Sequence, residues 1–141
     1  MKRALLVVSI CALFALGVAV AGTALVVTQG VTYTPSGQPA DPTPLAITAT
    51  LMEGAGSVLG ALLCLATFVL GVATATARKR SGWVVAFVIA GLLALVGFVG
   101  MAWVLLSVNS PVAWVTPLAL VPLIAVLYAL RPDSALAPAA R

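Results

Sequence analysis

The sequence predicts an all-α integral membrane protein, a four-transmembrane-helix bundle with both termini cytoplasmic. Three observations carry that prediction. The 141 residues are 63% hydrophobic and only 7% charged, against about 25% charged in soluble domains, and mean hydropathy is +1.24. Four apolar stretches approach or exceed the roughly 20 residues needed to cross a 30 Å hydrocarbon core. The seven Lys and Arg residues fall in short clusters between those stretches, on alternate connections.

The first span covers 4–27, "ALLVVSICALFALGVAVAGTALVV". It follows Lys2 and Arg3. Residues 19–21, "AVA", before Gly22 resemble a signal-peptidase site. The apolar run nevertheless continues to Val27, beyond an ordinary signal core, and we expect a retained helix. The second span, about 50–76, ends at the "RKR" of Arg78, Lys79 and Arg80. The third, 83–106, lacks charge and has no polar side chain between Ala86 and Met101. The fourth, 112–130, contains Pro117 and Pro122 and is followed by Arg131. Each proline withholds a donor from the helix, so a bend is expected in the outer half of that span.

With four spans, all seven cations lie on one side. The opposite connections, 28–44 and 107–111, contain no Lys or Arg. Positive-inside bias then places both termini and the "RKR" turn in the cytoplasm. Trp83, Trp103 and Trp114 lie at expected interfaces and read as anchors with Arg78, Lys79 and Arg80; Tyr33 and Tyr128 read as further belt residues. The connection at 28–44 is polar and proline-rich, fit for irregular chain. The tail at 131–141 is expected to be flexible.

Small residues mark close helix contacts. Span two carries Gly56 and Gly60, continued at helical spacing by Cys64, Thr67 and Gly71. Span three carries Ala86, Ala90 and Ala94, then Gly97 and Gly100. Span one offers Cys11, Ala15, Ala19 and Gly22. We expect these to be packing surfaces, chiefly within the bundle.

The chemistry classes are narrow. There is no histidine, the commonest general base and metal ligand. Cys11 and Cys64 form no CxxC pair and read as small apolar residues. The acids are Asp41, Glu53 and Asp133, too dispersed for a convergent catalytic set. No enzyme activity, catalytic residue, metal or cofactor is expected, and no nucleic-acid partner, since the cations flank apolar stretches. "GAGSVLG" lacks the βαβ setting that would make it a nucleotide loop.

Glu53 remains the one acidic residue that could lie inside a span. Twenty-two residues before Arg78 already cross the hydrocarbon, which places Glu53 near the outer boundary. If 45–76 is instead one long helix, Glu53 lies deeper. Small multidrug exporters resemble this chain in architecture alone: their essential glutamate lies within the first helix, which here has no acid, and no residue is carried over. The expectation is a small non-catalytic membrane protein, bacterial by its Ala/Val/Leu-rich composition, whose partners are the lipid bilayer and either a larger membrane complex or its own copies. It would be an accessory or structural subunit of the cell membrane. The alternative is a small transporter or channel with Glu53 at its outer mouth.

Overall fold

The computed structural model describes residues 1–29, 41–104, 113 and 115–131. Described residues form an all-helical chain: α1, Lys2–Gln29; α2, Pro44–Ala77; α3, Ser81–Val104; a short 3-10 turn, Thr116–Ala119; and α4, Leu120–Leu130. No strand occurs among them. The first three helices are long and apolar enough to cross a membrane.

Helix α2 starts where its sequence provides a start. Pro44 occupies the first turn, where its missing donor costs nothing, and the Thr43 hydroxyl accepts from the Ala46 N–H at 3.1 Å. From there α2 runs unbroken for 34 residues, about 51 Å at 1.5 Å per residue. The segment before Glu53 is therefore part of this helix. Its end is a left-handed cap: Lys79 has φ 53°, its N–H reaches Thr76 O at 2.9 Å, and the Arg80 N–H reaches Ala75 O at 3.0 Å. This paired bonding closes orphan carbonyls and reverses the chain within three residues.

The expected bend in the fourth apolar stretch takes a specific form. Pro117 belongs to the 3-10 turn, and Pro122 sits in the first turn of α4. A first-turn N–H has no intrahelical acceptor, so Pro122 disrupts nothing there. The distortion is concentrated before α4.

Neighbouring helices are antiparallel. Gly22 of α1 lies against Ala49 and Glu53 of α2, Gly56 against Ala15 and Ala19, and Gly60 against Leu16. Gly71 of α2 receives Phe87 of α3, while Gly91 of α3 receives Phe68 of α2. Gly97 meets Pro117. Leu5 of α1 joins Ala125 and Tyr128 of α4 in one buried cluster with Ala75 and Phe87. A second cluster unites Ala12, Leu16, Cys64 and Val115. The result is an up-down-up-down arrangement. Lys2, Arg3, Arg78, Lys79, Arg80 and Arg131 collect at one end, here called the basic end, and Asp41 and Glu53 belong to the other half.

Candidate functional site

Burial along α2 follows size rather than hydropathy. Glu53, Ser57, Gly60, Cys64, Thr67, Gly71 and Thr74 are buried, at alternating steps of four and three residues. Val58, Leu59, Leu62, Leu65 and Val69 point outward. The inward row is a 3.5-residue seam, and its small members let α1 approach. On α1, Leu5, Ser9, Ala12, Leu16 and Ala19 are buried with the same alternating steps. Two such seams facing one another bring the α1 and α2 backbones into direct contact at Gly22 and Gly56. A Cβ added at Gly56 would stand 2.8 Å from Ala19 N and 2.9 Å from Ala15 O.

All seven packing candidates can now be placed. Gly56, Gly60 and Cys64 face α1, Gly71 seats Phe87, and Gly97 contacts Pro117. Ala90 and Ala94 are buried on α3. Two expectations require correction. Cys11 is exposed, and Ala12 takes its place in the buried row with Ala15, Ala19 and Gly22, because the 4–3 steps that match α2 run through Ser9, Ala12 and Leu16. Tyr128 is fully buried rather than a belt residue, because Trp83 and Phe87 close over it. The cysteines make this geometry measurable. Cys64→Trp should overpack the contact with Ala12 and Leu16 and cost about 1–3 kcal/mol in a melting curve. Cys11→Trp, on the outward face, should change stability by less than about 0.5 kcal/mol; equal losses would contradict the seam.

Glu53 is 8% exposed, on the face of α2 that meets Gly22. Other buried polar groups on the seam are Ser57, Thr67 and Thr74, whose hydroxyls have no hydrogen-bond partner among the described residues. Ser9 instead donates to the Leu5 carbonyl at 2.6 Å. Ser57 and Thr67 are ten residues apart, about 15 Å along the helix. Gly60 and Cys64 fill the interval between them, so the hydroxyls do not join into a continuous polar path. Among the described residues no three His, Cys, Asp or Glu side chains gather to hold a metal.

A lateral cleft of about 470 Å³ opens among α2, α3 and the fourth stretch. Its floor includes Ala61, Cys64, Gly91 and Ala94, and its rim includes Leu65 and Leu92. The lining offers an apolar surface without acid, base or nucleophile apart from the Cys64 thiol.

The basic end has a different character. Trp83 and Tyr128 rings lie 5.0 Å apart at 58°, and Phe87 meets Tyr128 edge-on at 5.8 Å. The Lys2 ammonium sits 5.6 Å from the Tyr128 ring centroid, and the Arg131 guanidinium 5.9 Å from that of Trp83. Lys2 Nζ also donates to the Arg131 carbonyl at 3.2 Å, tying the start of α1 to the end of α4. Arg78 and Lys79 are exposed, and Arg80 is half-buried. Trp103 and Trp114, also expected as anchors, have side chains outside the described residues, and residues 30–40, with the expected belt residue Tyr33, and 132–141 also lie outside them.

Sequence reasoning did not single out Phe68, Phe87, Gly91 or the Lys2–Arg131 pairing. A usable signal existed for the first three. Phe68 lies ten residues before Arg78 and Gly91 eleven after Arg80; Gly71 and Phe87 each lie seven away. A tight reversal at Arg78–Arg80 therefore sets each phenylalanine opposite a glycine.

The fold and these surfaces define a class: a protein all-helical among its described residues, with three helices there long and apolar enough to cross a membrane and close-packed through small residues. Comparison with protein families, with curated proteins and with solved structures finds no match to this chain.

Proposed function

We propose that the chain is a four-span protein of the cell membrane, with its basic end in the cytoplasm. It acts without catalysis of its own, as an accessory or structural subunit that packs against a larger membrane complex or against its own copies. The observation that carries this reading is the inverted burial of α2. Leucines and valines face outward while serine, threonine, cysteine and glycine face inward. Water would oppose that arrangement; lipid tails accept the large apolar side chains, and helix packing selects the small ones.

The α3 surface supports the partner-binding role. Only 17% of its most apolar window is buried within the chain, against 33% for each of α1 and α2. The cleft beside it offers small side chains over which another transmembrane helix can pack closely. Transport through the seam has less support, because the polar groups around Glu53 are interrupted by Gly60 and Cys64.

Native mass analysis of the full chain, extracted from its own membrane in mild detergent, tests the proposal. The expected species is a stoichiometric complex with a membrane partner, or an integral multiple of this chain. Leu92→Trp should lower its yield about tenfold, the effect of roughly 1.4 kcal/mol at an interface. A lone monomer from several mild detergents would refute the role. A chain released from membranes by alkaline carbonate would refute the membrane placement itself.

A further inference from the structure

The lateral cleft among α2, α3 and the fourth stretch favours one kind of occupant. Apart from the Cys64 thiol its lining side chains are hydrocarbon, so water gains no hydrogen bonds there. An unfilled apolar hollow forfeits dispersion contacts along its whole lining. On α1, Phe14 projects from the chain. It is 74% exposed, the highest value among the large apolar side chains described. Every other described aromatic side chain is buried or half-buried. Gly17, one turn further along the same face, has nothing within 4 Å of an added Cβ, which lets a neighbour come close beside the ring.

The ring and the cleft lie at one height in the bundle. Ala12 and Leu16, which flank Phe14, share a buried cluster with Cys64, and Leu16 also meets Gly60. On α2 the cleft is lined from Ala61 through Cys64 to Phe68. Copies inserted in one membrane with one orientation are held at a common depth. A projection therefore enters a neighbour's hollow only where the two heights agree, and here they do.

We propose that the chain associates with a second copy of itself by seating Phe14 of one copy in the α2–α3 cleft of the next. The ring fills the cleft at lower entropic cost than a lipid tail. It has two torsions to order, whereas an acyl chain freezes one at each methylene. Among the described residues α1 packs on α2 and α4 and not on α3, so ring and cleft open on different sides of the bundle. The contact is then heterologous, and each copy offers one ring and one cleft. This inference rests on the membrane placement and the self-association proposed above, and names the surfaces that meet.

Native mass spectra of the full chain, taken from its own membrane in mild detergent, test the seat. The wild-type chain should appear as dimers or larger multiples. Phe14→Ala removes the ring and Leu92→Trp covers the cleft, and each should weaken association about tenfold, as loss of an aromatic anchor does. Leu127→Ala, which trims an exposed side chain of α4, should weaken it less than about twofold. The decisive measurement mixes the two defective variants, one of them isotope-labelled. They should form a one-to-one dimer and nothing larger, because the ring of the Leu92→Trp chain still meets the open cleft of the Phe14→Ala chain. Melting curves identify any variant that has lost its fold, and Leu65→Trp, on the cleft rim, replaces Leu92→Trp in that event. No recovery on mixing, or Phe14→Ala associating like wild type, overturns the seat and leaves self-association standing. A complex with a different protein in place of multiples overturns the second copy as occupant. A monomer that holds lipid, and loses it in Leu92→Trp, assigns the cleft to an acyl chain and overturns the seat as well. A bare monomer in several mild detergents overturns both the seat and the role proposed above.

Discussion

Gly56→Leu should separate α1 from α2 and cause a large loss of stability. The obstacle is backbone, not a flexible side chain: even a Cβ at Gly56 lies 2.8 Å from Ala19 N and 2.9 Å from Ala15 O. The α1 helix cannot yield locally, because the same seam holds it at Gly22 and Gly60. Overpacking of a rigid contact costs about 3 kcal/mol, a fall on the order of 10 °C in the melting temperature measured by circular dichroism in detergent. Gly54 provides an internal control two residues away, since nothing lies within 4 Å of an added Cβ there. Gly54→Ala should raise stability by up to about 1 kcal/mol through helix propensity. Gly56→Ala, with the same propensity gain, should lower it. If the two alanine variants melt alike, α1 and α2 do not meet at this glycine.

Phe87→Ala should be the most damaging truncation on α3. Its ring is fully buried, fills the notch at Gly71, and meets Tyr128 edge-on. Emptying that volume costs about 3–5 kcal/mol by the measure of aromatic truncations in close-packed interiors. The notch gives a sharper test. A Gly71→Leu variant collides with the Phe87 ring, whose Cε1 atom lies 2.5 Å from an added Cβ. Combining Gly71→Leu with Phe87→Ala should recover at least 1 kcal/mol relative to the sum of the two single losses, because a new side chain occupies the vacated space. Strict additivity in the double-mutant cycle would show that these positions are not in contact.

Reading the chain residue by residue carried the helical class and the positions of its long apolar stretches. Hydropathy and length locate α1 and α3 within a few residues, whereas α2 begins at Pro44, six residues before the expected 50, in what the sequence reads as the connection. The small residues of the second span were legible because glycine and alanine at helical spacing have few other uses in an apolar helix. Hydropathy carried little about orientation. Both faces of α1 are apolar, so the sequence does not distinguish Cys11 from Ala12, one exposed and the other buried. Tyr128 looks like an interfacial ring until Trp83 and Phe87 are known to cover it. Glu53 could be placed near a boundary by counting from Arg78. Counting could not show that α2 continues without a break from Pro44 and turns Glu53 toward Gly22.

By itself, the sequence determined the approximate positions of the three long apolar helices, the clustering of its cations, and the poverty of catalytic side chains. These follow from local composition and from the rise of a helix. Only the tertiary structure decided which face of each helix is enclosed, that Phe68 and Phe87 exchange places with Gly91 and Gly71, and that Lys2 meets Arg131. Those outcomes depend on shape between segments distant in the chain. Where nearly every side chain is apolar, steric fit chooses the contacts and hydropathy does not.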